Sequence, residues 1–145
     1  MRALTIVAGT VAAALALATP GTSSSTADRA TVTVHGSSFG RILFDGRGFA
    51  LYAFTKDRGS SACTGACAKA WPPYVVKTRP KAEAGITASL LGTIRRGDGS
   101  RQVTYAGKPL YYYVGDREPF QVLCQNVREF GGLWLVVGPT GATVR

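Results

Sequence analysis

Short apolar runs alternate with glycine-containing turns along most of the chain. From Thr31 onward these runs are TVTVH, RILFDGRGFALYAF, LLGTIRRGDGSRQVTYAGKPLYYYV and GGLWLVVGPTGATVR. Turn residues divide them into hairpin-sized strands at positions 45–46, 97–99, 106–107 and 139–141. Helical periodicity is confined to a turn or two at residues 65–70 and 81–91. The pattern predicts a mainly β fold in a small single domain, with short helical turns in its loops.

The first 30 residues have a different character. Arg2 precedes an uncharged run, residues 3–19, that is rich in alanine, leucine and valine. This pattern is typical of a secretory signal peptide, predicted to span residues 1–18 with cleavage as late as residue 27. A flexible Ser/Thr-rich lead-in is predicted for residues 19–30 and the domain for residues 31–145. Because no cysteine lies near either cleavage position, we expect a secreted, extracytoplasmic protein that is not lipid-anchored.

The charge balance adds a possible partner class. The whole chain has a formal net charge of +9, and removal of the leader takes away Arg2 but no acid, which leaves +8. Such a charge favours association with anionic material, such as envelope polymers or lipid head groups. Solubility alone would explain it as well, because only Arg95, Arg96 and Arg101 come close to a cluster. Specific nucleic-acid binding is not expected, because such surfaces concentrate cations with aromatic residues.

An internal repeat organises the predicted domain. GFALYAFTKD matches GKPLYYYVGD at an offset of 59, and AWPPYVV matches LWLVVGP at an offset of 63. The repeat motif therefore pairs Tyr52 with Tyr111, Phe54 with Tyr113, Asp57 with Asp116, and Trp71 with Trp134. Two pseudo-equivalent β repeats, at about residues 40–76 and 101–138, are predicted to pack together. We expect the two tryptophans to be equivalent core anchors.

These motifs carry a resemblance to a known family. YAFTKD from Tyr52, CTGACAKAWPP from Cys63, YAGKPLY from Tyr105 and GGLW from Gly131 resemble the bacterial secreted-repeat lipoprotein family, which is marked by Tyr-x-aromatic-x-x-Asp. The resemblance covers about residues 39–137. It implies an extracytoplasmic protein, often lipid-anchored in relatives, with no assigned biochemical role. The chain departs from the family in lacking the lipidation cysteine and in carrying Cys124.

The three cysteines allow several interpretations. In an exported chain Cys63 and Cys67 are expected to form a local disulfide, which would stabilise the fold by roughly 2 kcal/mol. Cys124 is left over, as a free, half-buried thiol or as an intermolecular disulfide that joins a dimer, while pairing with Cys63 or Cys67 remains open. An extracytoplasmic redox or metal-handling protein is the alternative function. Because His35 is the only histidine and no ligand spacing is present, we predict neither a metal site nor a cofactor.

No residue set in the sequence identifies a reaction. Asp57 and Asp116 could act as the acid and base of a small hydrolase, but an aspartate at a strand end more often caps a turn. Alternation along the aromatic strand points Tyr112 away from its neighbours, so it is predicted to be the best exposed aromatic contact for a ligand. The balance favours a non-enzymatic, cell-envelope-associated binding or structural module whose ligand the sequence does not identify.

Overall fold

A computed structural model describes residues 30–145. The predicted signal peptide and nearly all of the lead-in lie outside the described residues. The strands of this part of the chain are β1 (Thr31–Ser37), β2 (Gly40–Asp45), β3 (Tyr52–Phe54), β4 (Lys81–Ala82), β5 (Leu91–Arg95), β6 (Arg101–Tyr105), β7 (Lys108–Pro109), β8 (Val127–Glu129) and β9 (Gly132–Val136). The helices are α1 (Ala66–Ala70) and a single 3-10 turn (Ala88–Leu90). The prediction of a mainly β domain with short helical turns is confirmed.

The strands form three sheets of three strands each, in the orders β2-β1-β4, β3-β9-β8 and β5-β6-β7. The antiparallel hairpin β1–β2 belongs to the first repeat, and the antiparallel hairpin β5–β6 belongs to the second. Their turns contain Gly40 and Gly99, both with φ of 84°, a conformation that glycine adopts without the steric cost of a Cβ. Lys81 and Ala82, where a helical turn was predicted to start, instead pair in parallel with β1.

The two repeats exchange strands. β3 of the first repeat pairs with β9 of the second. In return, the segment of the second repeat that contains Tyr112 pairs with the segment that follows Trp71 in the first repeat. The Tyr112 N–H donates to the Pro72 carbonyl at 2.8 Å. At the centre Tyr52 and Tyr111 exchange both backbone hydrogen bonds, each 2.9 Å long. A pseudo-twofold axis therefore passes between these two tyrosines, and each repeat completes the sheet of the other.

The core has two parts. One joins the two hairpins and contains aliphatic side chains such as Leu43 and Val103, both fully buried. The other contains the three cysteines and both tryptophans, and Trp71 and Trp134 have no exposed surface. Full burial of one such large apolar side chain stabilises a fold by about 1.5–3 kcal/mol. Both tryptophans thus have the burial expected of core anchors.

Candidate functional site

The two tryptophans form the middle of a column of four aromatic rings. Phe54 stacks on Trp134 with ring centroids 4.1 Å apart, and Trp134 stacks on Trp71 at 4.1 Å with an interplanar angle of 4°. Tyr113 closes the column against Trp71 at 4.8 Å. Each tryptophan is therefore flanked by the motif aromatic of the other repeat. Since both tryptophans are buried, the middle of the column is core.

The two indole N–H groups differ in their partners. Trp71 Nε1 donates to the Glu129 carboxylate at 2.8 Å, whereas Trp134 Nε1 is buried without a hydrogen-bond partner among the described residues. The difference arises because the repeats diverge just before the tryptophan, where the first has α1 and the second has β8, which carries Glu129. A buried donor without a partner costs about 1–3 kcal/mol. The two repeats therefore differ in the hydrogen bonding of the indole N–H, and this difference should contribute unequally to the free energy of unfolding.

The motif tyrosines and aspartates are also exchanged between the repeats. The Tyr52 hydroxyl donates to Asp116 at 2.6 Å, and the Tyr111 hydroxyl donates to Asp57 at 2.9 Å. Burial raises the pKa of both carboxyls above the ordinary aspartate value and raises the pKa of Tyr111 to about 12. The second oxygen of each carboxylate accepts a backbone N–H, from Ala62 at 2.7 Å and from residue 123 at 2.9 Å. The aspartates therefore act as turn caps, and no hydrogen bond joins one to the other within residues 30–145.

A polar network extends from Asp57 in the first repeat. Because the Tyr111 hydroxyl gives its proton to Asp57, Ser61 must donate to Tyr111, at 2.6 Å. Arg96 donates to Ser61 Oγ at 2.7 Å and to the Cys63 carbonyl at 2.8 Å. Each of these groups is hydrogen-bonded to another member of the network. No histidine approaches Ser61 in the described part of the chain. The network fixes the loop after Asp57 and does not have the geometry of an activated serine.

The cysteines occupy one region of the core. Cys63 and Cys67 form a disulfide with Cα atoms 5.2 Å apart, while Cys124 is free and buried. Burial raises the pKa of the Cys124 thiol, which lies in hydrogen-bonding reach of Tyr113. Among residues 30–145 no group of three or more histidine, cysteine or acidic side chains could hold a metal ion. This arrangement does not favour the redox or metal-handling alternative, and a dimer through Cys124 stays a prediction that requires the buried thiol to become exposed.

Tyr112 corrects one sequence-based expectation. Its side chain is half-buried, its ring packs 5.2 Å from Tyr74, and its hydroxyl donates to Asp45 at 3.0 Å. Asp45 is fully buried, and a buried carboxylate needs such donors. The prediction that Tyr112 is the best exposed aromatic contact is therefore wrong. Phe120, with 55% of its surface exposed, is the most exposed of the aromatic residues that the structure describes.

A basic surface lies on the sheet that contains β5 and β6. Two shallow clefts of about 320 and 400 Å³ share Arg101. Their lining includes four cations and no carboxylate, and we call these four residues the basic surface: Lys77, Arg79, Arg95 and Arg101. None of the four forms an ion pair within the described residues. The nearby Asp98 is already bound by Ser100, whose hydrogen bonds lower its pKa.

Sequence reasoning missed two members of the basic surface. Lys77 and Arg79 stand far from Arg101 along the chain, so the cations had been judged scattered. The Val76 N–H donates to the Arg101 carbonyl at 2.9 Å, and this pairing places the segment of Lys77 beside β6. The partial signal in the sequence is the run of apolar residues after Trp71, in which Tyr74 matches Val137 after Trp134, because it indicates a further strand-like segment beside the repeat.

Comparison with known proteins identifies the repeat. A family model described as a secreted repeat of unknown function matches the chain twice, over residues 33–74 and 92–138. The two matches together cover more than half of the 145 residues. They begin within β1 and β5, so each includes a hairpin, an aromatic strand and a tryptophan. No curated protein and no solved structure matches the chain.

The helices that the structure describes are short. Over residues 30–145 none is long and apolar enough to cross a membrane.

Proposed function

Since the chain belongs to a family of secreted repeats of unknown function, family membership supplies no reaction, and we propose that the protein is a non-catalytic, envelope-associated module that binds anionic polymers through its basic surface. One observation carries the proposal: Lys77, Arg79, Arg95 and Arg101 line two adjoining clefts without an opposing carboxylate. The formal net charge of +9 for the whole chain adds long-range attraction to the same ligands.

The composition of the basic surface suits phosphate groups. Three of its four cations are arginines, whose planar guanidinium donates two parallel hydrogen bonds to phosphate or carboxylate oxygens. All four residues are solvent-exposed, so they can reach a polymer without a rearrangement of the core. Arg101 lies in β6, Arg95 pairs with it from β5, and the Val76 N–H before Lys77 donates to its carbonyl. We therefore favour a phosphodiester polymer of the cell envelope as the ligand.

The supporting framework suits a secreted module. The pairing of β3 with β9 ties the two repeats together. The Cys63–Cys67 disulfide fixes the loop before Trp71. The Arg96 side chain binds the Cys63 carbonyl at 2.8 Å and so links that loop to the turn that carries Arg95. Two of the four cations of the basic surface, Arg95 and Arg101, therefore lie on paired strands.

The test is a binding titration with poly(glycerol phosphate). The secreted chain is compared with the triple variant Lys77→Gln, Arg79→Gln and Arg101→Gln. The matched control removes three exposed cations elsewhere and so has the same net charge: Lys56→Gln, Lys69→Gln and Arg128→Gln. We expect the first variant to bind about tenfold or more weakly, since each cation near an anionic surface contributes about 1 kcal/mol, and the control to bind almost as the parent does.

Two further readouts separate the outcomes. Binding should weaken as salt is raised, because exposed charges are screened beyond about 8 Å at physiological ionic strength. Equal losses in the two triple variants would show that only net charge matters, and the assignment to the basic surface would then be wrong. Binding to anionic lipid vesicles but not to the polymer would instead identify head groups as the ligand.

A further inference from the structure

A third cleft, of about 220 Å³, lies between the two repeats. The first repeat contributes the end of β3 and the loop after it, with Phe54 and Arg58. The second repeat contributes the turn before β7, with Gly107 and Lys108, and Thr143 closes the end. The cleft shares no residue with the basic surface. It is therefore a separate place on the molecule.

The pseudo-twofold axis gives this cleft a counterpart in which the equivalent surface is covered. Gly107 in GKPLY corresponds to Gly48 in GFALY. The Phe120 N–H donates to the Gly48 carbonyl at 2.8 Å, and a Cβ at Gly48 would lie 3.1 Å from Pro119 Cβ and 3.2 Å from Phe120 Cζ. At Gly107 a Cβ would meet nothing within 4 Å. Gly48 of the first repeat is thus covered by a ring from the loop of the second repeat, whereas Gly107 of the second repeat is left open.

Loop length explains the difference. The carboxylate of Asp57 accepts the N–H of the fifth residue after it, whereas Asp116 accepts the N–H of the seventh. The first loop is therefore two residues shorter, and its sequence RGSS lacks the proline and phenylalanine of REPFQV. Since the fold is otherwise shared, the surface around Gly107 in the second repeat stays uncovered because the loop of the first repeat lacks these two side chains.

The residues that line the inter-repeat cleft indicate which kind of ligand could bind there. The apolar part of the lining comes from the edges of the largely buried Phe54 and Pro109. Arg58 and Lys108 add two cations that form no ion pair within the described residues, although Arg58 donates hydrogen bonds to the carbonyls of its own loop. Asp57 also lines the cleft, but its two oxygens accept hydrogen bonds from the Ala62 N–H and the Tyr111 hydroxyl, and burial raises its pKa. The volume is below the roughly 300–1,000 Å³ of drug-sized pockets. We propose that the inter-repeat cleft binds a small ligand that combines one planar ring with one anionic group.

Phenyl phosphate is the probe for this proposal. Amide chemical shifts of the isotope-labelled protein are followed during titration, and saturable changes are expected at Arg58, Gly107 and Lys108. The double variant Arg58→Ala and Lys108→Ala should bind the probe about tenfold or more weakly, because it removes both cationic hydrogen-bond donors that face the phosphate. The matched control, Arg128→Ala and Lys69→Ala, removes the same two residue types away from the cleft and should leave the affinity unchanged.

Two simpler ligands test each half of the proposal. Phenol lacks the anion and inorganic phosphate lacks the ring, so each should bind at least about tenfold more weakly than phenyl phosphate. Equal affinity of inorganic phosphate would overturn the role of the ring. Shifts that do not saturate at the cleft, or an equal loss in both double variants, would overturn the site itself.

Discussion

The unequal indole N–H groups predict that two pseudo-equivalent substitutions have unequal costs. Trp71→Phe and Trp134→Phe each keep a stacked ring in the column and each remove one N–H. The Trp71 N–H binds Glu129 at 2.8 Å, while the Trp134 N–H is buried without a partner among the described residues. The first substitution therefore breaks a hydrogen bond, and the second removes an unsatisfied donor.

The magnitudes can be worked from these contacts. Loss of ring volume costs both variants a similar amount, on the order of 1 kcal/mol for about 40 Å³. Trp71→Phe also loses a hydrogen bond to a charged group, which contributes about 1.5 kcal/mol at the lower end of its range because Glu129 is exposed. Trp134→Phe instead recovers about 1 kcal/mol or more from the buried donor. Trp71→Phe should therefore be about 2 kcal/mol the more destabilising.

Urea denaturation measures this difference, with far-ultraviolet circular dichroism as the signal because each variant changes the tryptophan fluorescence. A difference of about 2 kcal/mol moves the midpoint by about 1 M urea in a domain of this size. Glu129→Ala provides the control: it should destabilise the parent but not Trp71→Phe. Equal midpoints for the two phenylalanine variants would refute the reasoning and would mean that Trp134 Nε1 is satisfied in solution.

Three other outcomes are expected. Cys63→Ser should lower the free energy of unfolding by about 2 kcal/mol, since it opens the disulfide ring, whereas Cys124→Ser should cost less than about 1 kcal/mol; equal urea midpoints would contradict this. Tyr52→Phe should cost about 1–3 kcal/mol in the same assay, because the buried carboxyl of Asp116 loses its tyrosine donor, and an unchanged midpoint would show that this bond is dispensable. Burial raises the folded pKa of Asp57 and Asp116 above 3.8, so the unfolded chain releases these protons first as pH rises. Their contribution to stability is full below about pH 4 and falls as pH rises through the folded pKa, and Asp116→Asn should flatten the slope; a slope of opposite sign in the parent would contradict the shifts.

The repeat was predictable from sequence because its matched residues are large and regularly placed. Tyr52 and Tyr111, like the two tryptophans, fall at fixed offsets, and such residues indicate shared core positions whatever the loops do. The sequence could not show which repeat each strand pairs with. Pairing within a repeat and exchange between repeats bury the same side chains, and the choice depends on backbone hydrogen bonds that leave no residue pattern.

The surface was less predictable than the core. Tyr112 points away from Tyr111 and Tyr113 as the alternation predicts, but that face packs on the other part of the core, where its hydroxyl donates to the buried Asp45. Lys77 and Arg101 come together only through a backbone pairing across the domain. In both cases tertiary contacts that are remote in sequence decide what is exposed.

The strand exchange also bears on how a two-copy chain could have originated. If each repeat completes the sheet of the other, one repeat alone would have an unpaired aromatic strand and an unpaired tryptophan strand, and two separate copies would satisfy each other as a symmetric dimer. Joining two copies end to end converts that association into an intramolecular one, at an effective concentration in the millimolar range for a short connection. An ancestral dimer would fall apart as it diffused away from the cell that exported it, whereas the fused chain keeps both halves together at any dilution.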